Sequence, residues 1–417
     1  MALGPGAPPT DRPPVTDNTQ AQDPSRAPLA AIRVLTVSDY GAGPYASQLL
    51  AQLGAYVIKV EDPHRGGDSS RRIPPYQQDN DSLYYQSLNR NKRSIALDLK
   101  SAAGLRAFQR IAAIADAVLT NIRPDAAARL GLRYDALRAV NPRIVCCSMS
   151  GWGSRGGKAA DPAYDYLIQA TTGAMSLTGE PGDPPVRAAV PWVDLATSFA
   201  AAFALVSAVL NARQTKIGRD VEVAMMDVAM SMWSYLGTWH LSKGFRPDRL
   251  AYSAHQSVVP SQVFKTADGY FIIMCQTQEF WRQLCEGMEL PELPNDPRFA
   301  SMADRHRNRD VLVPVLQERF LQRTTKEWTA RLRGKVPGAP VHDFPSAWRE
   351  YEAFRPEMIV ALQHPVFGAV RVPGNPIWLS DWKIPYRLAP SLGQHTEEVL
   401  REAGMSEADI ASLLQTA

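Results

Sequence analysis

One carboxylate stands out in this sequence by its surroundings. Asp194 follows the run Val190-Pro191-Trp192-Val193 and is the single charge in the apolar stretch Ala188–Leu210. Such a stretch predicts a buried helix that begins near Asp194. A carboxylate there is either a cap stabilised by the helix dipole or, in a poorly solvated pocket, a nucleophile. Asp165, which follows Tyr164, is a second candidate, and its competing interpretation is a surface-loop aspartate.

A glycine-containing turn follows the first predicted strand. Gly41-Ala42-Gly43-Pro44 lies where backbone N–H groups at a helix N-terminus can face a phosphate. The third glycine of a dinucleotide fingerprint is missing, and Pro44 removes one donor. A tight strand-to-helix turn is therefore favoured over a nicotinamide site, and the chain has no Walker A lysine motif.

Basic residues recur in small groups near predicted strand starts and helix ends. Separately they are ordinary solvated surface, but together they could hold an anionic ligand that carries phosphates. A further basic run, from Arg305 to Arg309, has no interleaved aromatic residues and does not indicate nucleic-acid binding. The groups are Arg65, Arg71 and Arg72; Arg90, Lys92 and Arg93; and Arg123 and Arg129.

Several standard catalytic centres are disfavoured. No metal-ligand spacing occurs, and no GxSxG elbow supports a Ser-His-Asp triad. Cys146 and Cys147 lie in a predicted buried strand and are expected to be core residues. The histidines fall in separate predicted loops, among them His255, His342, His364 and His395.

The composition is typical of a soluble globular protein with two or three domains. The 417 residues are 45% hydrophobic and 21% charged, and the net charge of +3 is too small to indicate nucleic acid or an anionic membrane as a partner.

Ala188–Leu210 could span a membrane by length, but Pro191 and the lack of aromatic belts favour a core helix. Four cysteines in so long a chain favour a reducing, cytoplasmic setting. Residues 1–30, rich in proline and without an apolar signal segment, are predicted to be a disordered tail.

Short β-branched runs alternate with helical periods from Ile32 onward. This pattern predicts an α/β domain with a mostly parallel sheet, whose first part spans residues 31–245. The predicted strands are 32–37, 56–60, 94–99, 117–120 and 144–148, and the predicted helices are 44–53, 105–115, one that ends near Arg213, and 221–236.

A smaller domain is predicted over residues 257–341. It begins with a β-hairpin around Asp268-Gly269 and continues with helices at 279–288, 309–321 and 326–334. Residues 342–417 then form a linker and a C-terminal return, with a strand at 366–372 and a helix in the last twenty residues.

Nine ordered motifs resemble the class III CoA-transferases, the group that contains formyl-CoA transferase, carnitine CoA-transferase and α-methylacyl-CoA racemase. The resemblance extends from about Ile32 to Leu414. Any one motif is weak, but the ordered set is specific. The motifs are Ser38–Pro44, Val57–Glu61 with Arg65–Asp68, Asn89–Ser94, Arg129–Gly131, Tyr164-Asp165 with Gly173, Val193–Leu195, Gly218-Arg219, His255–Pro260 and Leu392–His395.

The resemblance implies that Asp194 is the nucleophile of a CoA transfer. Racemase members have a histidine where this chain has Tyr164, so transfer is favoured over racemisation. The position of a glutamine that assists catalysis in the formyl-CoA enzyme is Gly41 here, which argues against formyl-CoA or oxalate specificity. The run Ala254–Phe271 looks most like succinyl-CoA:dicarboxylate transferases, the glutarate-accepting type in particular.

The same resemblance implies a set of binding residues. The co-substrate would be a coenzyme A thioester, with no permanently bound cofactor and no metal. Arg71 and His255 would contact the small carboxylic acid. The CoA-binding residues would be Arg65, Lys92, Arg93, Arg129, Tyr40, Ala42, Tyr164 and Asp165.

The family fold implied is a Rossmann-like large domain completed by the C-terminal segment, with a small α+β domain. Two chains would form a homodimer of interlocked rings. The expected activity is transfer of CoA from an acyl-CoA, succinyl-CoA in the first instance, to a free dicarboxylate in the cytoplasm, without nucleic acid or membrane as partner. The alternatives left open are an acyl-CoA racemase or epimerase and a non-catalytic acyl-CoA-binding protein.

Overall fold

Strands and helices follow the apolar patterns of the sequence in the computed structural model, which describes residues 23–415. The strands are β1 (Arg33–Val37), β2 (Tyr56–Glu61), β3 (Gln77–Gln78), β4 (Asp81–Ser82), β5 (Arg93–Ala96), β6 (Ala117–Thr120), β7 (Val145–Ser150), β8 (Arg219–Ala224), β9 (Ser261–Lys265), β10 (Tyr270–Met274), β11 (Gly338–Pro340), β12 (Ile359–His364) and β13 (Gly368–Pro373). The helices are α1 (Ala42–Gln52), α2 (Leu83–Leu88), α3 (Ala102–Ala113), α4 (Pro124–Arg129), α5 (Tyr134–Leu137), α6 (Asp165–Thr171), α7 (Ala174–Leu177), α8 (Trp192–Thr215), α9 (Met225–Ser231), α10 (Ser234–Lys243), α11 (Gln278–Gly287), α12 (Met302–Arg307), α13 (Arg309–Phe320), α14 (Thr325–Leu332), α15 (Phe344–Phe354), α16 (Thr396–Glu402) and α17 (Glu407–Gln415).

A six-stranded parallel sheet forms the centre of one compact unit. Its order is β5-β2-β1-β6-β7-β8, and every neighbouring pair is parallel. The chain builds outward from β1 to β5, returns to the other side of β1 with β6, and continues to β8. This doubly wound arrangement confirms the predicted α/β fold.

Side chains alternate between the two faces of this sheet because a strand has a period of two. Val34 packs on one face with α1 and α8, where alanines such as Ala46 and Ala201 allow close approach. Leu35 packs on the other face with α3 and the C-terminal helices α16 and α17, through Val399 and Leu413 among others. The C-terminal segment thus completes this unit, as the resemblance implied.

The predicted helix at 221–236 is wrong at its start. Residues Arg219–Ala224 form β8, the edge strand that pairs with β7, and helices follow only from Met225. Val221 and Val223 alternate with charged residues, and this period of two is the strand signal that the prediction overlooked. The single helix predicted for the last twenty residues is likewise two helices, α16 and α17, which are separated at Gly404, a residue with a φ of +74°.

The sequence predicted α8 as a buried helix, and the structure buries it on one side only. Ala201 and Leu205 lie in the core, whereas Phe199, Phe203 and Leu210 are 42%, 77% and 55% exposed. Within the described chain, α8 is the one helix whose length and composition would allow it to cross a membrane. About 33% of its most apolar stretch is buried. Its inner face belongs to the core of the sheet domain.

Part of the predicted tail is folded. The first 22 residues lie outside the described part of the chain, so the tail prediction is tested only from residue 23 onward. Ala27 is buried, and the Leu29 N–H donates to the Leu53 carbonyl oxygen at 3.0 Å. Leu29 also packs on the core between α1 and the sheet. The ordered chain therefore begins before residue 30.

The described chain divides into two units. The first runs to Tyr164, includes Trp192–Val228, and resumes at Arg355. The second comprises Asp165–Pro191 and Ala229–Phe354, and it contains the whole segment 257–341 that the sequence indicated as a small domain. Its three-stranded antiparallel sheet has the order β11-β10-β9, and the predicted hairpin is the β9–β10 pair. This combination is an α+β unit, as predicted.

Candidate active site

The carboxyl ends of β1 and β6 mark the point where the strand order of the parallel sheet reverses. Ligands bind to doubly wound sheets at this point. The loop Ser38–Gly41 leaves β1 here, and Asn121 follows β6. The Asn121 side chain accepts the Asp39 N–H at 2.9 Å and donates to the Asp39 carbonyl oxygen at 2.8 Å. The two loops are therefore joined at the edge where a ligand is expected.

Asp194 lies at the same edge, in the first turn of α8, as the sequence predicted. A Cβ atom built on Gly41 would lie only 2.7 Å from Oδ2 of Asp194, so the carboxylate rests against the Cα of Gly41. The Ser198 hydroxyl lies 2.8 Å from the Ala42 carbonyl oxygen and 2.7 Å from that of Asp194, which links the first turns of α1 and α8. The partly exposed Asp194 carboxylate is thus close to the N-termini of two helices, where the helix dipole favours negative charge.

A buried network of charges supports the loop that contains Gly41. The Lys59 ammonium forms an ion pair with Asp68 at 2.6 Å, and both side chains are fully buried. Burial by itself would raise the pKa of Asp68, but Lys59 and several hydrogen bonds hold it below its usual value. Burial and the neighbouring Asp68 raise the pKa of Asp39, whose carboxylate accepts the Ser69 N–H and hydroxyl at 2.7 Å each. Of these two carboxyls, Asp68 therefore has the lower pKa and ionises first.

Three tyrosine rings lie together beside Gly41. Tyr40 directly precedes Gly41 and has a φ of +69°, in the left-handed region that bulky residues rarely adopt. Its ring centroid is 5.4 Å from that of Tyr84 and 6.4 Å from that of Tyr164. Tyr40 is 38% exposed and Tyr164 is 64% exposed. The predicted residues Tyr40, Ala42 and Tyr164 are therefore assembled around the turn that contacts Asp194.

The structure argues against a substrate contact for Arg71. Its guanidinium is 1% exposed and forms two hydrogen bonds with the Glu61 carboxylate, at 2.9 and 2.8 Å. It also donates to the Tyr85 hydroxyl at 2.6 Å and to the Pro390 carbonyl oxygen at 3.1 Å. Because the side chain is buried and its Nε and Nη2 already pair with the Glu61 carboxylate, Arg71 is not placed to receive the carboxylate of an acceptor acid. Arg71 is a structural residue of the sheet domain.

Lys92 is also internal, contrary to the phosphate contact implied for it. Its ammonium donates to the carbonyl oxygens of Pro44 and Leu88 and to the side-chain oxygen of Asn89, at 2.8, 3.0 and 2.7 Å. Because three acceptors surround the buried Nζ, Lys92 fixes the first turn of α1 rather than facing a ligand. The set of positive charges that the sequence assigned to the CoA phosphates is therefore smaller by one.

The other predicted CoA residues of this unit are more accessible. Arg65 is exposed beside the loop that precedes Asp68. Arg129 is exposed and pairs with Asp125 at 2.7 Å, and Arg93 pairs with Glu398 at 2.5 Å over the ring of Tyr56. Exposed ion pairs contribute little to stability, so these guanidiniums can exchange a carboxylate partner for a phosphate at small cost.

Two predicted residues belong to the second unit. Asp165 begins α6 and is 5% exposed, so its interpretation as a surface-loop aspartate is wrong; its Oδ1 accepts the Gln169 amide at 2.5 Å. His255 accepts the N–H groups of Ser257 and Val258 at Nδ1 and contacts the Tyr235 hydroxyl through Nε2 at 3.1 Å. Both side chains are therefore held by neighbours within their own unit.

The basic run near residue 305 has a structural role in this unit. Arg305 donates to the Val259 carbonyl oxygen at 2.8 Å, Arg309 donates to that of His255 at 2.6 Å, and His306 contacts that of Gln256 at 3.1 Å. Three basic side chains thus each take one carbonyl of the loop that contains His255. These contacts give a structural role to a basic cluster about which the sequence indicated only that it does not bind nucleic acid.

Sequence reasoning gave no role in the site to four residues that build it: Lys59 and Asp68, which lie in a quoted motif, and Asn121 and Ser198. Lys59 carried a detectable signal, because a lysine in the middle of the apolar strand 56–61 must either break the strand or find a buried partner. Asn121 directly follows β6, and polar residues after parallel strands are candidate site residues. No local pattern distinguished Ser198.

Comparison with known proteins gives one consistent result. The model of CoA-transferase family III matches residues 29–396. Succinyl-CoA:glutarate CoA-transferase from Mus musculus is 32% identical over 93% of this chain and 89% of its own length. Succinate–glutarate CoA-transferase from Agrobacterium fabrum is 32% identical over 90% of this chain and 96% of its own length.

Solved structures give the same fold. A CaiB/BaiF family protein from Brucella suis superimposes with a TM-score of 0.77 at 30% identity, covering 90% of this chain and 99% of its own. The protein Rv3272 from Mycobacterium tuberculosis superimposes with a TM-score of 0.78 at 28% identity, covering 89% of this chain and 98% of its own. The similarity therefore extends over both units of the chain.

Proposed function

This chain belongs to CoA-transferase family III, and we propose on that basis that it transfers CoA from succinyl-CoA to a free dicarboxylic acid through the side chain of Asp194. The names of relatives support the substrate class, since three at 32% identity are named succinyl-CoA:glutarate, succinate–glutarate and succinyl-CoA:mesaconate CoA-transferases. The single observation that supports the nucleophile is the contact of the Asp194 carboxylate with Gly41 at the point where the strand order reverses.

The proposed reaction exchanges acyl groups without loss of the thioester. The Asp194 carboxylate attacks the carbonyl carbon of succinyl-CoA and releases the CoA thiolate, which leaves a mixed anhydride of aspartate and succinate. The thiolate then attacks the aspartyl carbonyl, so that succinate leaves and an aspartyl-CoA thioester forms. Covalent catalysis divides one difficult exchange into steps that each form and break one bond.

The acceptor acid completes the cycle. Its carboxylate attacks the aspartyl thioester, the CoA thiolate leaves again, and a second mixed anhydride forms. The thiolate attacks the acceptor's own carbonyl, which yields the new acyl-CoA and restores the Asp194 carboxylate. The free energy of the thioester is kept throughout, so the cycle consumes no ATP. Water must be excluded while the anhydride and the aspartyl thioester exist, because hydrolysis would destroy either one.

The positive ends of two helices support this chemistry. Asp194 lies in the first turn of α8 and beside the N-cap of α1, so backbone dipoles surround its carboxylate. Each attack at a carbonyl places negative charge on an oxygen, and fixed dipoles at the site stabilise such charge without reorganisation. The CoA phosphates would be held by the exposed guanidiniums of Arg65 and Arg129.

A homodimer in the cytoplasm is part of the same proposal. The outward side of α8 exposes Phe203, and α15 exposes Phe344 and Phe354, which are 78% and 65% accessible. Large apolar residues that remain exposed on two separate helices are typical of surfaces covered by another protein. A cytoplasmic, soluble enzyme is supported by four free cysteines and by the core packing of the inner side of α8.

Intact-mass spectrometry of the protein with succinyl-CoA, followed by hydroxylamine, tests the mechanism. We expect a hydroxylamine-sensitive adduct that maps to Asp194 and is absent in Asp194→Ala. The matched control is Asp135→Ala, since Asp135 is an exposed carboxylate of α5 outside the proposed site, and this variant should keep the adduct. A wild-type protein that binds CoA but forms no adduct with any acyl-CoA would refute the proposed nucleophile.

A further inference from the structure

The loop that contacts Asp194 is held by a charge pair buried behind it. We propose that Lys59 and Asp68 are positioning residues for Asp194, which act by holding Tyr40 in the left-handed conformation and Gly41 against the Asp194 carboxylate. This inference rests on the proposed function of Asp194 as the nucleophile. It assigns a catalytic consequence to two side chains that contact neither substrate nor the reacting atoms.

The first step of the argument is the connection of Lys59 to the loop. Lys59 lies in the middle of β2 and is fully buried. Its ammonium donates to the Ser38 carbonyl oxygen at 2.7 Å and pairs with Asp68 at 2.6 Å. The beginning of the loop is therefore tied to the neighbouring strand by a charged donor, and such bonds are roughly twice as strong as neutral ones.

The second step is the connection of Asp68 to Tyr40. Oδ1 of Asp68 accepts the Tyr40 N–H at 3.1 Å, as well as the N–H and the hydroxyl of Ser70 at 2.9 and 2.7 Å. Tyr40 has a φ of +69°, a conformation that costs a non-glycine residue about 1–2 kcal/mol. Asn121 fixes both main-chain groups of Asp39, the preceding residue. The strained backbone is thus held from both sides, as is found where strain serves a site.

The third step is the effect on the nucleophile. Gly41 follows Tyr40 directly, and its Cα is the surface against which Oδ2 of Asp194 lies. Because this contact is already at van der Waals distance, relaxation of Tyr40 to a negative φ would move Gly41 toward or away from the carboxylate. Either movement changes the direction in which Asp194 attacks, and a misplacement of about 1 Å can lower a rate by about a hundredfold.

A role in stability alone would not require charges at these positions. Replacement of a buried ion pair by apolar residues of similar volume is often neutral or stabilising. Lys59 and Asp68 are both fully buried, so this argument applies to them without correction for solvent screening. What an apolar pair cannot supply is the pair of directional bonds to the Ser38 carbonyl and the Tyr40 N–H.

The test measures the single-turnover rate at which succinyl-CoA modifies Asp194, by quenched-flow and mass spectrometry. The variant Lys59→Met/Asp68→Leu removes both charges of the pair together and should remain folded, with a urea midpoint somewhat below the wild-type value because the Ser38 carbonyl and the Tyr40 N–H lose their partners. We expect its rate to fall by about tenfold or more. A rate within twofold of wild type would overturn the inference. The matched control is Asp116→Asn, which removes a carboxylate that pairs with Arg213 at the opposite end of β6, and it should keep the wild-type rate.

A double-mutant cycle separates positioning from a general structural effect. Tyr40→Gly removes the energetic cost of the positive φ, so the loop no longer needs Asp68 to hold it. In this background, Lys59→Met/Asp68→Leu, which removes the acceptor of the Tyr40 N–H, should slow the reaction by less than about threefold, compared with about tenfold or more in the wild-type background. Equal effects in both backgrounds would show that Asp68 does not act through Tyr40.

A crystal structure of Lys59→Met/Asp68→Leu gives a readout that does not depend on activity. We expect Tyr40 to leave the left-handed region and Gly41 to separate from Asp194. A variant structure with both features unchanged would overturn the inference. If the wild-type protein forms no adduct, the proposed function fails, and the crystal structure still decides whether the ion pair sets the loop.

Discussion

Replacement of Gly41 by alanine is the smallest change that the structure predicts to separate activity from stability. A Cβ atom at this position would lie 2.7 Å from Oδ2 of Asp194, whereas ordinary contacts begin at 3.4 Å. The carboxylate would therefore have to move by about 0.7 Å, the difference between these two distances. Since a misplacement of about 1 Å can cost about a hundredfold, the rate of Asp194 modification should fall by about tenfold to a hundredfold.

The folded state should tolerate the same substitution. Gly41 has a φ of −113° and a ψ of −92°, which avoids the left-handed region but lies outside the conformations that alanine favours, and the atom that must yield is the end of a side chain. A residue held in a sparsely populated conformation costs about 1–3 kcal/mol, and the smaller freedom of alanine in the unfolded chain offsets about 0.4–1 kcal/mol of this cost. Urea unfolding should therefore show a loss of stability of no more than about 3 kcal/mol, which leaves the protein folded while the rate falls.

The assay for Gly41→Ala is the single-turnover reaction with succinyl-CoA, followed by the mass of the protein. Gly157→Ala is the matched control, because no heavy atom outside its own chain neighbours lies within 4 Å of an added Cβ and its φ is not positive. A Gly41→Ala protein that reacts within twofold of wild type would refute the argument that this contact sets the attacking geometry. A Gly41→Ala protein that fails to fold would refute the argument that only the carboxylate must yield.

Three further predictions follow from the buried charges and the exposed apolar side of α8. Arg71→Met leaves Glu61 buried without its partner and should lower the free energy of unfolding by about 3–5 kcal/mol in urea titrations, with the KM for the acceptor acid unchanged. Burial opposes ionisation of Glu61 and Asp68, but Arg71 and Lys59 hold their pKa values below the usual 4.5 and 3.8. Because a lowered pKa in the folded state contributes stability above the unfolded value, the free energy of unfolding should fall as the pH drops below about 4.5, and less so in Lys59→Met/Asp68→Leu. Phe203→Glu should shift the mass in analytical ultracentrifugation from a dimer to a monomer if the exposed side of α8 is an interface, and an unchanged mass would contradict this.

The parallel sheet could be predicted from the sequence because each of its inner strands is a short run of mostly apolar or β-branched residues. β6 was predicted with its observed bounds, and β2 ends only one residue beyond its predicted end. β8 could not be found in this way, because a strand at the edge of a sheet can bury one face only and need not be apolar throughout. Its two valines alternate with charged residues, and the period of two was read as part of a helix.

The candidate site was predicted in part, for a physical reason. Asp194 was found because a charge in a long apolar stretch needs a special environment, and that signal is local. Arg71 and Lys92 were assigned to ligands because the sequence shows a charge and not its partner. Glu61 is ten residues from Arg71, and the Pro44 carbonyl is 48 residues from Lys92, so their pairing depends on the tertiary fold. Burial, rather than charge, separates these two from the exposed Arg65 and Arg129.

The meeting of Gly41 and Asp194 is a consequence of the topology. A helix between two parallel strands runs antiparallel to them, so it begins at the carboxyl edge of the sheet. α1 follows β1 and α8 precedes β8, and both helices pack on the same face of the sheet, where Ala46 and Ala201 share one core. Their first turns must therefore lie side by side at the edge where ligands bind. The fold thus brings two helix N-termini together. With Gly41 at the start of α1 and Asp194 in the first turn of α8, this place can hold a nucleophilic carboxylate.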